Sequence, residues 1–205
     1  MKIASRNSMS FLPSHGFIGH VLNIFKQCQS KSHVDQYFIY GIRYFDLRIS
    51  FCGQSYNHII FKNGYVTYET FSFHDVMQFF NERKNCHVRL SLDTTGQDDK
   101  EQLIKQFNYL CSNIEELYQD VDMFGGTDTT TNHCIYLFKK EHENTSVILE
   151  DIFDHGQKKT QQFISALQKF TRSISPRLHA FLFNWWIRKA FLKSERLVIM
   201  DFINI

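Results

Sequence analysis

One stretch of the chain, Gly41–Ile49 (GIRYFDLRI), sets an aspartate and an arginine two residues apart inside an otherwise apolar run. Read as a β-strand, it sends alternate side chains to opposite faces. Phe45, Leu47 and Ile49 then share one face, and Tyr44, Asp46 and Arg48 share the other. A carboxylate and a guanidinium on a core strand are costly unless they satisfy each other or hold a charged ligand. Two kinds of chemistry are therefore open to this pair: a buried structural ion pair, or the binding of an anion.

Other segments repeat the pattern. Val88, Leu90 and Leu92 oppose Arg89, Ser91 and Asp93, and Val198, Met200 and Phe202 oppose Asp201. Arg6 falls just past a first strand at Lys2–Ser5, and Glu150 ends another. In a closed parallel barrel the outer face packs on helices, and late inward residues reach the C-terminal mouth, where active sites sit. An open doubly wound sheet also binds ligands at the carboxyl ends of its strands. The pattern does not separate the two. Both bring Arg6, Asp46, Arg48, Arg89, Asp93 and Asp201 into one polar cluster.

The elements that must position this cluster follow from periodicity and turn chemistry. Apolar spacing predicts helices over Gly16–Gln27 and His33–Tyr40, with the key strand at Arg43–Ser50. His58–Lys62 and Tyr65–Glu69 flank Asn63-Gly64, which reads as a two-residue hairpin turn. Ser72 caps a helix to about Arg83, with Asp75 three residues on. A strand at Val88–Asp93 leads to a long helix at Asp98–Tyr118. Strands follow at Cys134–Phe138 and Ser146–Glu150, then a helix at Lys158–Phe170, a strand at Ala180–Phe183 and a last strand at Leu197–Phe202. Strand and helix alternate, which argues for an α/β fold with parallel strands. Two prolines, no biased linker and no repeat make residues 1–205 a single domain.

Composition narrows the function classes. Hydrophobic content of 43% and charged content of 21% describe an ordinary globular chain. With 23 Lys and Arg against 21 Asp and Glu, the formal charge of +2 makes no case for a nucleic-acid partner. Five cysteines form no Cys-x-x-Cys pair, so zinc spacing is absent and reduced thiols are expected. The opening MKIASRNSMSFLP lacks an apolar segment of signal-peptide length, which points to the cytoplasm. No run approaches the roughly 20 apolar residues of a membrane span. The densest apolar patch, His179–Phe191, is interrupted by Asn184, Arg188 and Lys189. Exposed, it would give weak docking on a membrane surface. Core packing is the role expected for such large side chains.

GIRYFDLRI closely resembles the strand-two motif of the phosphatidylinositol-specific phospholipase C family, the X-domain-like phosphodiesterases. Asp35-Gln36-Tyr37 resembles the helix leading into that strand. Arg196–Ile203 (RLVIMDFI) resembles the last strand, whose Asp assists a catalytic His, and Phe124-Gly125-Gly126 has a weaker family flavour. The resemblance implies a compact, distorted TIM (β/α) barrel. It also implies a bacterial-type phosphoric diester hydrolase acting on a polyol or lipid phosphodiester without metal or other cofactor. Arg48 fills the position of a calcium ligand in the metal-dependent branch, and its cation stands where the ion's charge would be. The implied catalytic set is Asp46, Arg48 and Asp201, with Arg6 and Arg48 on the phosphate and Arg89 and Asp93 as a secondary polar cluster.

The chain departs from the family where protons move. Ala4-Ser5-Arg6-Asn7-Ser8 stands at the family's Gly-Thr-His-Asp-Ser motif, so Arg6 replaces the first catalytic histidine. Asn63-Gly64 stands at its His-Gly dipeptide, so Asn63 replaces the second. Arginine keeps its proton near neutrality and asparagine does not titrate. His58, or His15 and His20 after the first strand, are the substitutes within reach of the sequence. The alternative to an enzyme is an inactive relative that binds a phosphorylated small molecule or lipid head group at the barrel mouth.

Overall fold

The computed structural model describes residues 2–52, 58–68, 71–83, 85–123, 135–137, 167, 170–171, 174–191 and 197–200. Along the chain these form β1 (Lys2–Ser5), α1 (Gly16–Lys26), α2 (His33–Phe38), β2 (Tyr44–Cys52), β3 (His58–Asn63) and β4 (Val66–Tyr68). There follow α3 (Phe73–Asn81), β5 (His87–Asp93), α4 (Lys100–Leu117), β6 (Asp122–Met123), β7 (Ile135–Leu137), α5 (Pro176–Phe191) and β8 (Leu197–Met200).

The strand that carries Asp46 and Arg48 is the hub of a mixed sheet. β1 pairs with β2 in parallel, Ala4 opposite Tyr44 and Ser5 opposite Phe45. On the other edge β5 runs parallel to β2 from Tyr44–His87 to Ile49–Leu92, with Asp46 opposite Arg89 and Arg48 opposite Ser91. β8 lies parallel to β1, and β6 parallel to β5. The last described strand therefore lies beside the first. Among the described residues this is a partial sheet that does not close on itself. The closed barrel expected from the sequence is not formed by these strands, because β6 and β8 pair with no further described strand.

Two strands run against the parallel ones, and the first belongs to the hairpin expected around Asn63-Gly64. Only residues 53–57 separate β2 from β3, and a parallel crossover needs about a dozen residues or more. β3 accordingly returns antiparallel, Ile49 opposite Phe61 and Cys52 opposite His58, and continues into β4. The hairpin turn is shifted by one residue from the expected Asn-Gly. Asn63 pairs with Val66 as a strand residue, and Gly64 and Tyr65 make the turn. Gly64 takes φ +63°, the left-handed conformation that a primed turn requires at its first central position. β7 is likewise antiparallel, joining the late half of β5 at Ser91–Asp93.

One face of β2 and β5 is the core. Phe45, Leu47, Ile49, Val88, Leu90 and Leu92 are fully buried. α3 and α4 pack on this side, α4 along β2, and α3 sets Phe80 against Phe45 at 4.4 Å between ring centroids. Ser72 caps α3 by accepting from the His74 N–H, not from Asp75. α4 is one unbroken helix capped by Asp99, and it buries Leu103, Phe107 and Ile114.

The strand expected at Ala180–Phe183 is helix. Pro176 opens α5, where its missing N–H costs nothing. The buried residues His179, Ala180, Phe183 and Asn184 fall at helical spacing. A short unbroken apolar run does not distinguish the two periods. The core role expected for this patch is only half met, since Leu178, Phe181, Leu182 and Trp185 are exposed. The expected strand at Ser146–Glu150, most of the helix at Lys158–Phe170, the Phe124–Gly126 segment and Asp201 lie outside the described residues.

Candidate anion-binding site

Alternation along β2 puts Asp46, Arg48 and Ser50 on the face opposite the core, and register adds Arg89, Ser91 and Asp93. All six are buried. Asp46 and Arg48 do not satisfy each other directly. Two residues along a strand span about 6.6 Å, whereas neighbouring strands lie about 4.8 Å apart, so charges pair across strands. Arg89 Nε donates to Asp46 Oδ1 at 2.8 Å. The Asn7 N–H donates to Asp46 Oδ2 at 3.1 Å, and the Ser8 N–H donates to the Asp46 carbonyl at 2.7 Å. Burial pushes the Asp46 carboxyl up. The Arg89 cation and its hydrogen bond, with Arg48 and the Asn7 N–H, outweigh burial and hold it below the ordinary carboxylate value.

Arg48 is held more loosely. Its Nη1 donates to Asn63 Oδ1 at 3.0 Å and lies 4.0 Å from Asp93 Oδ2. Its Nε is buried and unpaired, as are Arg89 Nη1, Ser50 Oγ and both side-chain polar atoms of Asn7. Asp93 is committed elsewhere. Oδ2 accepts from the Gly64 N–H at 2.7 Å and Oδ1 from the Thr95 N–H at 3.0 Å, which ties the β3–β4 turn to the loop after β5.

Asn63 stands where the sequence put the second replaced histidine, and its amide, not an imidazole, is on Arg48. Arg6 directly follows β1, half-buried, in the loop that brings Asn7 and Ser8 to Asp46. His58 is not brought to Arg48. It pairs with Cys52, four residues or about 13 Å farther along β2, and is exposed. His15 and His20 are also exposed, with His20 Nδ1 engaged by Ser14 Oγ at 3.1 Å. Asp201 lies beyond the described residues.

The sequence reading missed three residues here. Lys62 is buried one step past the paired Phe61, and its Nζ donates to the Thr95 carbonyl at 2.6 Å. A lysine inside HIIFKN is the same kind of signal as Arg48 inside GIRYFDLRI. Cys28 is buried with its Sγ 3.8 Å from Asn63 Nδ2. Burial raises the Tyr68 hydroxyl, the Cys28 thiol adds to this and Arg48 opposes it, so all three share one neighbourhood. Nothing in the local sequence marks Cys28 or Tyr68. Among the described residues no three His, Cys, Asp or Glu side chains gather to hold a metal.

No family model matches the chain, and no curated protein matches it. Among solved structures, the phosphatidylinositol-specific phospholipase C from Listeria monocytogenes is similar. Its TM-score is 0.56 at 14% identity, over 98% of this chain and 87% of that one. At that identity the likeness is one of fold.

Proposed function

We propose that this chain recognises the phosphate of a phosphorylated polyol or lipid head group at Arg48, on a phospholipase C-like barrel scaffold. The observation that carries this reading is the set of unpaired donors on one buried face: Arg48 Nε, Arg89 Nη1 and Ser50 Oγ, beside the Asn7 amide. Buried polar groups without partners are rare because each costs about 1–3 kcal/mol. An oxyanion supplies the acceptors that protein side chains leave out, and a guanidinium binds it in bidentate fashion. Asp46 orients Arg89, and Asp93 and Asn63 keep Arg48 in place. Arg6 is a further residue we assign to the phosphate, and Asp201 keeps the assisting role that the family resemblance implies.

The hydrolytic reading, a metal-free phosphodiesterase, is favoured by one observation. Lys62, buried and one register step from the Ile49–Phe61 pair, is opposite Arg48. A buried lysine can move protons where Arg6 and Asn63 cannot. The likeness to the Listeria enzyme adds a shared fold.

Calorimetry with inositol phosphate, glycerophosphate and sulfate tests the binding reading. Native protein binds, and Arg48→Ala binds at least about a hundredfold more weakly, as loss of a charge-assisted bidentate contact requires. Absence of any anion binding by the native protein refutes it. Turnover of phosphatidylinositol or an aryl phosphodiester, lost in Lys62→Gln, would establish the hydrolase instead.

A further inference from the structure

The near-neutral charge of the chain conceals a strong segregation. Residues 1–34 and 155–194 contain 12 Lys and Arg and no Asp or Glu, whereas the rest of the chain carries 11 against 21. The two acid-free segments contain α1 and α5. Neither helix has an acidic residue, and between them they carry Lys26, Arg177, Arg188 and Lys189.

Both helices also turn an apolar stripe outward. On α1, Phe17 is 83% and Ile18 74% exposed, with Val21 and Phe25 on the same side. On α5, Phe181 is 71% and Trp185 65% exposed, with Leu178 and Leu182 beside them. A surface helix ordinarily buries its one apolar stripe. α5 has two: His179, Ala180 and Phe183 face inward while Leu178, Phe181, Leu182 and Trp185 face out. The two helices touch. Lys189 Nζ sits 4.0 Å above the Trp185 ring, which places a cation at the border of the aromatic patch. An open groove at the head of α5 is lined by Arg177, Leu178 and Phe181, again a cation against apolar carbon. α1 also borders the anion site, since its Asn23 Oδ1 accepts from the Tyr68 hydroxyl at 2.9 Å.

We propose that α1 and α5 form one docking surface for the anionic face of a lipid bilayer. Charge complementarity selects this occupant. Aromatic and aliphatic side chains with interspersed Lys and Arg, and no acid, are the composition of helices that lie in the membrane interface. A nucleic acid would engage the cations but gains nothing from Ile18, Leu178 and Leu182, and a second copy would set Arg177 and Lys189 against helices that offer no acid to pair with them. Among the described residues no helix is long and apolar enough to cross a membrane, so contact is in the plane of the surface.

Sedimentation of the full chain with phosphatidylcholine vesicles, with and without phosphatidylserine, tests this. Phosphatidylserine raises the bound fraction at least about tenfold, and added salt reverses the gain. Trp fluorescence shifts to the blue on binding. F181S/W185S on one helix and F17S/I18S on the other each reduce binding about tenfold with unchanged melting temperature, because the replaced side chains are exposed. F181S/W185S and F17S/I18S, which lie outside the anion site, keep the anion binding seen by calorimetry, so failure here is distinguishable from failure of the anion site. The proposal is overturned if native protein ignores phosphatidylserine vesicles or if both double variants bind undiminished. It is equally overturned if the same substitutions dissolve a dimer seen by analytical ultracentrifugation in the absence of lipid.

Discussion

The two faces of β2 and β5 are made by alternate residues of the same strands, yet they are finished to different standards. On the helix side Phe45, Leu47, Ile49, Val88, Leu90 and Leu92 are sealed, and the ring of Phe80 lies against Phe45. On the opposite side burial is as deep, but the polar atoms are incompletely matched: Asp46 has its partners, while Arg48 and Arg89 each keep a buried N–H unpaired. A face that only held the fold together would not leave such donors open, since closing them is worth more than leaving them. The contrast separates residues that make the sheet stable from residues that make it receptive.

The largest expected effect breaks the sealed face. Phe45→Ala removes a fully buried ring and lowers unfolding free energy by about 3–5 kcal/mol in denaturant titration, whether or not anion is present. Next in size is a titration away from both faces. His33 is caged by Phe11, Phe71, Phe79 and Phe80, and burial first, then the Arg83 cation, pull its imidazole from 6.5 down to about 4 against a smaller opposite pull from Asp35. Between those values the unfolded chain takes a proton that the native state refuses. This contribution is therefore full above pH 6.5 and falls by about 3 kcal/mol as pH drops to 4. His33→Phe flattens that part of the stability profile, and unchanged pH dependence would show that the ring is protonated in place. The smallest stability effect sharpens the comparison. Arg48→Met costs only about 1 kcal/mol, because Arg48 gives up one hydrogen bond to a neutral amide and a 4.0 Å contact. The anion-induced rise in melting temperature disappears with it. A loss of several kcal/mol without any anion effect would instead make Arg48 a strut of the fold.

Much of this was legible because it is local. The strands at Lys2–Ser5 and His87–Asp93 and the helices at Gly16–Lys26 and Lys100–Leu117 follow from periodicity and caps. Alternation alone put Asp46 with Arg48 on one face of their strand and Arg89 with Asp93 on one face of theirs. It could not give the pairing. Asp46 is matched by Arg89 rather than by Arg48, because only register decides which strands lie side by side. The Asn-Gly motif suggested the turn but not its frame, which cross-strand pairing of Asn63 with Val66 moved by one residue. Pro176 is a helix-start signal for α5 that the reading of Ala180–Phe183 as a strand did not use.

By itself the sequence determined the period of each element and the sidedness of β2, since both depend on residues a few positions apart. It also contained the charge segregation around α1 and α5, which the net charge averages away. The tertiary structure decided what touches Arg48. Asn63, Asp93, Cys28 and Tyr68 come from 15 to 45 residues away or carry no local mark; hairpin geometry and strand register carry Asn63, Asp93 and Tyr68 to one place, and the loop after α1, tied to Ser10, brings Cys28. It also decided that the outer stripe of α5 faces solvent, because burial is a property of neighbours and not of the helix that offers the face.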